Sequence, residues 1–162
     1  MSKNSIHIEY QEFEDSSELS SARQKLLKEA ENALSGSYAP YSKFHVGVAI
    51  LLANGETVQG SNQENAAYPS GICAERAAIY YTGSHFPGIE IKTIAVVARK
   101  SGETKLTPAC PCGACRQAML EYEEKQKQPI ELIFKIKEKG FVVVSAVQDT
   151  LPFKFGADSL GI

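Results

Sequence analysis

The stretches CAER at residues 73–76 and PCGAC at residues 111–115 decide how the rest of the sequence is interpreted. Each begins an alanine-rich stretch, over 73–81 and 112–124, that we predict to be helical. A helix N-terminus presents unpaired N–H groups and partial positive charge, and both favour a thiolate over a thiol. The sequence therefore predicts two helices that each start at a cysteine suited to binding a metal ion.

The cysteine spacing indicates zinc. Cys112 and Cys115 are neighbours on one helical turn and could share an ion, and Cys73 could supply a third thiolate from the other helix. Three protein ligands leave one position of a tetrahedral zinc ion open to water, as in catalytic sites. Taken singly, the Cys-x-x-Cys pair could be redox-active or buried, Cys73 a core thiol, and Glu75 a solvated carboxylate. Together, Cys-x-Glu and Pro-Cys-x-x-Cys match the zinc deaminase signature, with Cys in place of its His.

Predicted strands and a further helix surround these two stretches. Apolar residues recur at helical spacing from Leu19 to Leu34, after a cap signal at 15–18 and before Gly36, which predicts a first helix. A type I′ turn at Asn54-Gly55 is predicted to join two strands into a hairpin. The predicted strands cover 46–53, 57–60, 91–98, 130–136 and 141–147. We therefore expect a layered α/β fold whose sheet is not purely parallel.

Composition and charge exclude several classes of protein. The 162 residues, with 43% hydrophobic and 22% charged side chains, suit one folded domain. A net charge of −2 without a long Lys/Arg block argues against a nucleic acid polymer as partner. We expect no membrane association and a cytoplasmic location, because no apolar run has membrane-spanning length and no hydrophobic signal core follows Lys3. In that reducing compartment, four cysteines favour metal ligands over disulfides.

From Leu19 to its end, the chain resembles the small, homotetrameric, three-cysteine cytidine deaminases. The resemblance is carried by YAPYSKFHVGVAI (38–50), GSNQENAAYPSGICAERAAI (60–79), PCGACRQ (111–117) and LPFKFG (151–156). It implies a three-layer α/β/α sandwich with a mixed five-stranded sheet, in a single zinc-dependent deaminase domain at 18–162. It also implies hydrolysis of cytidine and 2′-deoxycytidine to uridine and 2′-deoxyuridine plus ammonia, in pyrimidine salvage. Residues 1–17 are an extension outside the resemblance. The alternation of Ile6, Ile8 and Tyr10 is compatible with an edge strand, and a disordered tail is equally compatible.

The resemblance assigns the reaction to five residues. Cys73, Cys112 and Cys115 would bind one zinc ion per subunit, and Glu75 would be the proton shuttle of a zinc-bound hydroxide. Three thiolates leave the zinc site with a net charge of about −1, which weakens the ability of the metal to lower the pKa of a bound water. Arg76 lies three residues beyond Cys73 and is implied to compensate by donating hydrogen bonds to a ligand sulfur. The alternative for Arg76 is a surface arginine without a role at the metal.

The resemblance also implies the nucleoside contacts. Phe44 would stack on the pyrimidine, and Asn62 and Glu64 would hydrogen-bond the ribose hydroxyls, so a nucleoside should react far better than free cytosine. Without the resemblance, Phe44 would be interpreted as core and Asn62 as a turn residue. Sites of this family are shared across tetramer interfaces, and the residues implied to reach a neighbouring pocket are Ala66, Tyr68 and Phe155, with Phe153 as a competitor for Phe155.

Two positions within the matching region depart from the family pattern. His45 stands where the family often has proline. Cys110 is an additional thiol, and a fourth thiolate would close the site and make the zinc structural. Because Cys110 precedes the predicted helix and Pro111 stiffens the connection, we expect it to be a bystander. The rival functions are a deaminase for another amine and a noncatalytic zinc module. The Asn62/Glu64 pair argues against the first, and the lack of a second Cys-x-x-Cys or His pair argues against the other.

Overall fold

The computed structural model of the protein describes residues 1–137 and 140–161. It contains a six-stranded sheet in the order β1-β6-β5-β4-β2-β3 between helical layers. The strands are β1 (Tyr10–Phe13), β2 (Phe44–Leu52), β3 (Thr57–Ser61), β4 (Ile91–Lys100), β5 (Glu131–Lys135) and β6 (Phe141–Val144), and the helices are α1 (Ser21–Ala33), α2 (Ala74–His85) and α3 (Gly113–Gln126). Only the β4–β5 pair is parallel among the described strands, so the sheet is mixed as predicted.

The sheet has six strands instead of the expected five, because the N-terminal extension contributes one. Strand β1 pairs antiparallel with β6, from Tyr10 opposite Val144 to Phe13 opposite Phe141. This pairing satisfies backbone groups that β6 would otherwise present at an open sheet edge. Arg23 of α1 links β1 to β5, since its guanidinium donates to Glu131 on β5 at 2.5 Å and to Gln11 on β1 at 3.4 Å.

Apolar side chains cover both faces of the sheet and complete a three-layer α/β/α sandwich. One face packs against α1 and the other against α2 and α3. The centre of β4 is buried on both sides, which explains the continuous apolar run IAVVA at 94–98. The buried helical residues that contact the sheet include Leu26, Leu27 and Ala30 of α1, Ile79 of α2, and Met119 and Leu120 of α3. None of the helices in the described ranges combines the length and apolarity needed to cross a bilayer.

The turn between β2 and β3 differs from the predicted type. A type I′ turn requires positive φ at both central residues. Gly55 has a φ of 87°, whereas Asn54 is not among the described non-glycine residues with positive φ. The backbone N–H of Leu52 donates to the carbonyl of Glu56 at 2.9 Å, which closes a three-residue loop with glycine in the left-handed position. The hairpin was therefore predicted correctly and its turn type was wrong.

Strand directions explain why the two cysteine motifs meet. Strands β3 and β4 are each antiparallel to β2 and therefore run the same way. The chain leaves β3 towards α2 and leaves β4 towards α3. Both helices consequently begin at the same end of the sheet, where β3 and β4 finish, although the first residues of the two helices are far apart in sequence. Phe44, the first residue of β2, lies at this end as well, opposite Lys100.

Candidate metal centre and substrate cavity

Three cysteine sulfurs converge where α2 and α3 begin. Cys73 is the N-cap of α2, Cys112 is the N-cap of α3, and Cys115 lies in the first turn of α3. Their Sγ atoms all lie within 4.8 Å of one another, and the Cys112 and Cys115 sulfurs are 3.4 Å apart. A tetrahedral zinc ion about 2.3 Å from each sulfur requires sulfurs about 3.8 Å apart. The donor type and the spacing therefore both fit one zinc ion.

Neighbouring groups shift the pKa values of two of these thiols in opposite directions. Hydrogen bonding with Cys115 is the main cause that lowers the pKa of Cys73, to about 5, and Arg76 contributes to the same effect. The same contact with Cys73 raises the pKa of Cys115. The Arg76 guanidinium donates to the Cys73 sulfur at 3.9 Å, and its Nε is buried without a hydrogen-bond partner in the described chain. The thiolate form of Cys73 is therefore favoured, and the Arg76 cation stands beside its sulfur.

Glu75 lies in the first turn of α2 and is 6% exposed. Burial is the main cause that raises the pKa of its carboxyl, and the negative charge of Cys73 adds to the effect. An interaction with the Cys115 thiol acts in the opposite direction and lowers the pKa of the carboxyl. A raised pKa makes this carboxylate a stronger base than an exposed glutamate, which suits a general acid–base group that must accept a proton and return it.

A cavity of about 270 Å³ has Cys73 in its wall, whereas Cys112, Cys115 and Glu75 are not among the described residues that line it. This volume is just below the range of about 300–1,000 Å³ typical of small-molecule sites. Larger clefts lie elsewhere, including one of about 800 Å³ beside His45 and Arg99, so volume alone does not locate the site. The cavity is lined by Asn62, Gln63, Glu64, Asn65, Tyr68, Gly71, Ile72, Cys73 and Arg76. It thus places the candidate ribose contacts in one space with Cys73, a candidate metal ligand.

Backbone hydrogen bonds hold the two candidate ribose contacts at the cavity wall. The Asn62 side chain accepts from the backbone N–H of Val46 at 2.8 Å and donates to the Phe44 carbonyl at 2.9 Å. The Glu64 carboxylate accepts from the backbone N–H groups of Tyr41 at 2.9 Å and Ser42 at 3.2 Å. Hydrogen bonding from Ser42 is the main cause that lowers the pKa of Glu64. Glu64 therefore presents an ionised acceptor at neutral pH.

Of the other nucleoside contacts named from the sequence, Tyr68 alone lines this cavity among the described residues. Phe44 is half-buried and contacts Asn62 through its backbone, and Ala66 is exposed. Phe155 is 57% and Phe153 92% exposed. Tyr68 lines the cavity with 73% of its surface exposed. The exposed Cys110 is not part of the three-sulfur group.

Two supporting arrangements were missed by sequence reasoning. The Arg116 guanidinium donates to the Pro111 carbonyl at 2.8 Å and to the Thr150 carbonyl at 3.2 Å, which fixes the loop that leads into Cys112. Its position directly after Cys115, a predicted metal ligand, was a usable signal. Ser37 donates to the Asn62 side chain at 2.6 Å, and nothing in the sequence pattern indicates this contact.

Comparison with known proteins shows the family. Residues 20–128 match the family model described as "Cytidine and deoxycytidylate deaminase zinc-binding region". The chain is 48% identical over 138 residues to the cytidine deaminase of Halalkalibacterium halodurans, covering 85% of this chain and 97% of that protein. It is 36% identical over 138 residues to the cytidine deaminase of Sporosarcina psychrophila, covering 85% and 93%.

Solved structures agree with these sequence matches. The crystal structure of the Burkholderia pseudomallei cytidine deaminase is 36% identical and superposes with a TM-score of 0.67, over 81% of this chain and 97% of that one. The Mycobacterium tuberculosis cytidine deaminase gives a TM-score of 0.64 at 31% identity, over 83% of this chain and 97% of that one. Together with the three-cysteine group that the fold assembles, these matches show that the chain is an enzyme of the cytidine deaminase family.

Proposed function

We propose that the protein hydrolyses cytidine and 2′-deoxycytidine to uridine and 2′-deoxyuridine with release of ammonia. The observation that carries this proposal is the convergence of three cysteine sulfurs beside the buried Glu75, with Cys73 in the wall of a cavity that Asn62 and Glu64 also line. The relatives described above are cytidine deaminases by name, which supports the substrate class.

Cys73, Cys112 and Cys115 are the residues that would hold one zinc ion per subunit. When bound, zinc lowers the pKa of a coordinated water towards neutrality and so supplies a nucleophile for C4 of the base. The exposed Cys110 lies outside the three-sulfur group, which supports an open fourth position. Arg76 donates to Cys73 and offsets part of the negative charge of three thiolates.

Glu75 moves the protons in this proposal. Its carboxylate accepts a proton from the attacking water and delivers it to N3 of the pyrimidine ring. The same carboxylate then takes the proton of the new hydroxyl group on C4 and gives it to the amino group, so that the C4–N bond breaks, a carbonyl forms at C4 and ammonia leaves. Burial supports this role because it raises the pKa of Glu75 and so favours the protonated form that must return the proton.

Asn62, Glu64 and Phe44 bind the nucleoside. Hydrogen bonds to Val46 and Phe44 leave one N–H of the Asn62 amide free to donate to a ribose hydroxyl. Glu64 is ionised and can accept from a hydroxyl. Phe44 stacks on the base. Free cytosine has no ribose hydroxyls, so Asn62 and Glu64 would be left without partners when it binds. This loss disfavours cytosine as a substrate.

A cytoplasmic homotetramer with shared sites completes the proposal. Its subunits would contribute Ala66, Tyr68 and Phe155 to neighbouring cavities, and the large exposed surfaces of Tyr68 and Phe155 support this contribution. Phe153 competes with Phe155 for the aromatic position, and its 92% exposure supports a contact outside the monomer. No nucleic acid polymer or membrane is a partner in this proposal.

An ultraviolet assay with cytidine, 2′-deoxycytidine and cytosine, run beside a metal determination, tests the function. We expect turnover of both nucleosides, little turnover of cytosine, and one zinc ion per chain. A matched pair of variants sharpens the test. Cys115→Ser should lose zinc and activity together, and Cys110→Ser should keep both. Zinc-loaded protein that does not release ammonia from either nucleoside would contradict the proposal.

A further inference from the structure

A chain of side-chain hydrogen bonds lies behind Asn62 and leads away from the cavity. Ser37 Oγ donates to Asn62 Oδ1 at 2.6 Å. His45 Nδ1 lies 3.0 Å from the same Ser37 Oγ, and His45 Nε2 lies 2.9 Å from Ser101 Oγ. His45 thus links the turn after β4, through Ser37, to a candidate ribose contact.

The surrounding backbone fixes the direction of each hydrogen bond in this chain. The Val46 N–H donates to Asn62 Oδ1, and Asn62 Nδ2 donates to the Phe44 carbonyl, so the amide has only one orientation. Ser37 must therefore give its single proton to Asn62 Oδ1. Its oxygen is then available only as an acceptor, so His45 Nδ1 must carry a hydrogen. In the neutral ring, Nε2 then accepts from the Ser101 hydroxyl.

We propose that His45 is a positioning residue that acts through Ser37 on Asn62 and strengthens recognition of the ribose hydroxyls. The proposal rests on the proposed role of Asn62 as a ribose contact. The imidazole holds the Ser37 hydroxyl in the one rotamer that donates to Asn62. The Asn62 amide is thereby fixed in the orientation that leaves an N–H free for the substrate. A proline at position 45, which the family often has, offers no side-chain donor for Ser37.

The structure limits how large this effect can be. Asn62 keeps its bonds to Val46 and Phe44 when His45 is removed, so its orientation is weakened and not lost. One neutral hydrogen bond corresponds to a change of about three- to tenfold in a binding or rate constant. We therefore expect His45 to influence selectivity for the sugar and to leave the chemistry at the base intact.

The test compares cytidine with 2′,3′-dideoxycytidine, which lacks both ribose hydroxyls. In His45→Phe and Ser37→Ala, the loss of kcat/KM on cytidine should exceed the loss on dideoxycytidine by about three- to tenfold, and it should appear in KM more than in kcat. Ser37→Ala removes a single oxygen atom and serves as the second variant should His45→Phe fold poorly. Zinc content and melting temperature are measured for every variant.

Two conservative variants separate positioning from packing. The side-chain amide of His45→Asn can place an N–H near the position of Nδ1, whereas that of His45→Gln reaches towards Ser101. The proposal predicts that His45→Asn restores discrimination between the two substrates and that His45→Gln does not. Equal losses on both substrates in His45→Phe and Ser37→Ala, or equal rescue by Asn and Gln, would overturn it.

Asn62→Ala distinguishes failure of this inference from failure of the proposed function. A selective loss on cytidine in Asn62→Ala without one in Ser37→Ala would overturn the role of His45 and leave the ribose contact standing. An equal loss on both substrates in Asn62→Ala would overturn the ribose contact and the inference together.

Discussion

Two buried glutamates show how the same side chain serves different purposes in this protein. Glu123 and Glu75 are each 6% exposed. The Glu123 carboxylate accepts three backbone N–H bonds, from Ile130, Val147 and Gln148, at 2.7–2.9 Å. Glu75 instead faces the cysteine sulfurs, and burial raises its pKa. A carboxylate saturated by backbone donors stabilises the fold, whereas one held beside a metal centre is available to move protons.

Glu75→Gln should abolish turnover and keep the metal. The amide is nearly isosteric, so the fold and the three sulfurs remain, but it cannot accept and return a proton. We expect kcat to fall by at least about 10²-fold. The measurement is cytidine turnover with zinc content determined on the same sample. Substantial turnover by the zinc-loaded variant would contradict the shuttle role.

Arg76→Gln should weaken activity or zinc affinity by about 10- to 100-fold, the range typical of groups that hydrogen-bond to metal ligands. The substitution removes the cation that donates to Cys73, so the negative charge of the three thiolates is no longer partly offset. Arg76→Lys is the matched control, because it keeps the positive charge and should retain more activity. A chelator competition assay measures zinc affinity. Unchanged activity and affinity in Arg76→Gln would refute charge compensation.

Glu64 should make a pH-dependent contribution to stability. Its pKa is lowered in the folded state, chiefly by hydrogen bonding from Ser42. The stabilisation is therefore present above the unfolded pKa and is lost as pH falls through the folded pKa. The melting-temperature advantage of the native protein over Glu64→Gln should shrink between about pH 6 and about pH 3. A difference that stays constant over this range would show that Glu64 ionisation does not stabilise the fold.

The sequence predicted some of these residues well and others not at all. Cysteine spacing and helix-start chemistry are local signals, and they predicted the three sulfurs that the structure brings together. The bond from Ser37 to Asn62 spans 25 residues of sequence and that from His45 to Ser101 spans 56. Such contacts depend on tertiary geometry, so no local pattern indicates them.

Among the elements, helices and strands with strong periodicity were predicted to within a few residues. The expected helix at 112–124 is observed as Gly113–Gln126, and the expected strand at 91–98 as Ile91–Lys100. The sixth strand was harder to predict. The alternating pattern covered Ile6 to Tyr10, whereas β1 runs from Tyr10 to Phe13. Its partner β6 lies at the other end of the sequence, so pairing across the sheet defines this strand more than its own pattern does.

Glu123 should anchor α3 to the rest of the fold. Truncation leaves buried N–H groups of the segments before β5 and after β6 without an acceptor. We expect Glu123→Ala to lower the free energy of unfolding by about 2–4 kcal/mol. Glu121→Ala is the matched control, because Glu121 lies exposed on the same helix and should change stability by less than about 0.5 kcal/mol. Urea unfolding of both variants decides the matter, and equal effects would contradict the anchoring role.

At the scale of the whole molecule, topology explains what the motifs alone could not. Strands β3 and β4 run in the same direction on either side of β2, so the helices that follow them, α2 and α3, begin at the same end of the sheet. This arrangement brings CAER and PCGAC together in one site. The layered architecture was predictable from alternating strands and helices and from the family resemblance. The sixth strand was outside that resemblance, because residues 1–17 lie before its first matched position.

Zinc K-edge X-ray absorption on the purified protein measures the coordination shell directly. An open, catalytic site predicts three sulfur atoms at about 2.3 Å and one oxygen or nitrogen at about 2.0 Å from the metal, with the same shell in Cys110→Ser. A shell of four sulfurs in the native protein, reduced to three in Cys110→Ser, would show a closed structural site and contradict hydrolytic deamination by this centre.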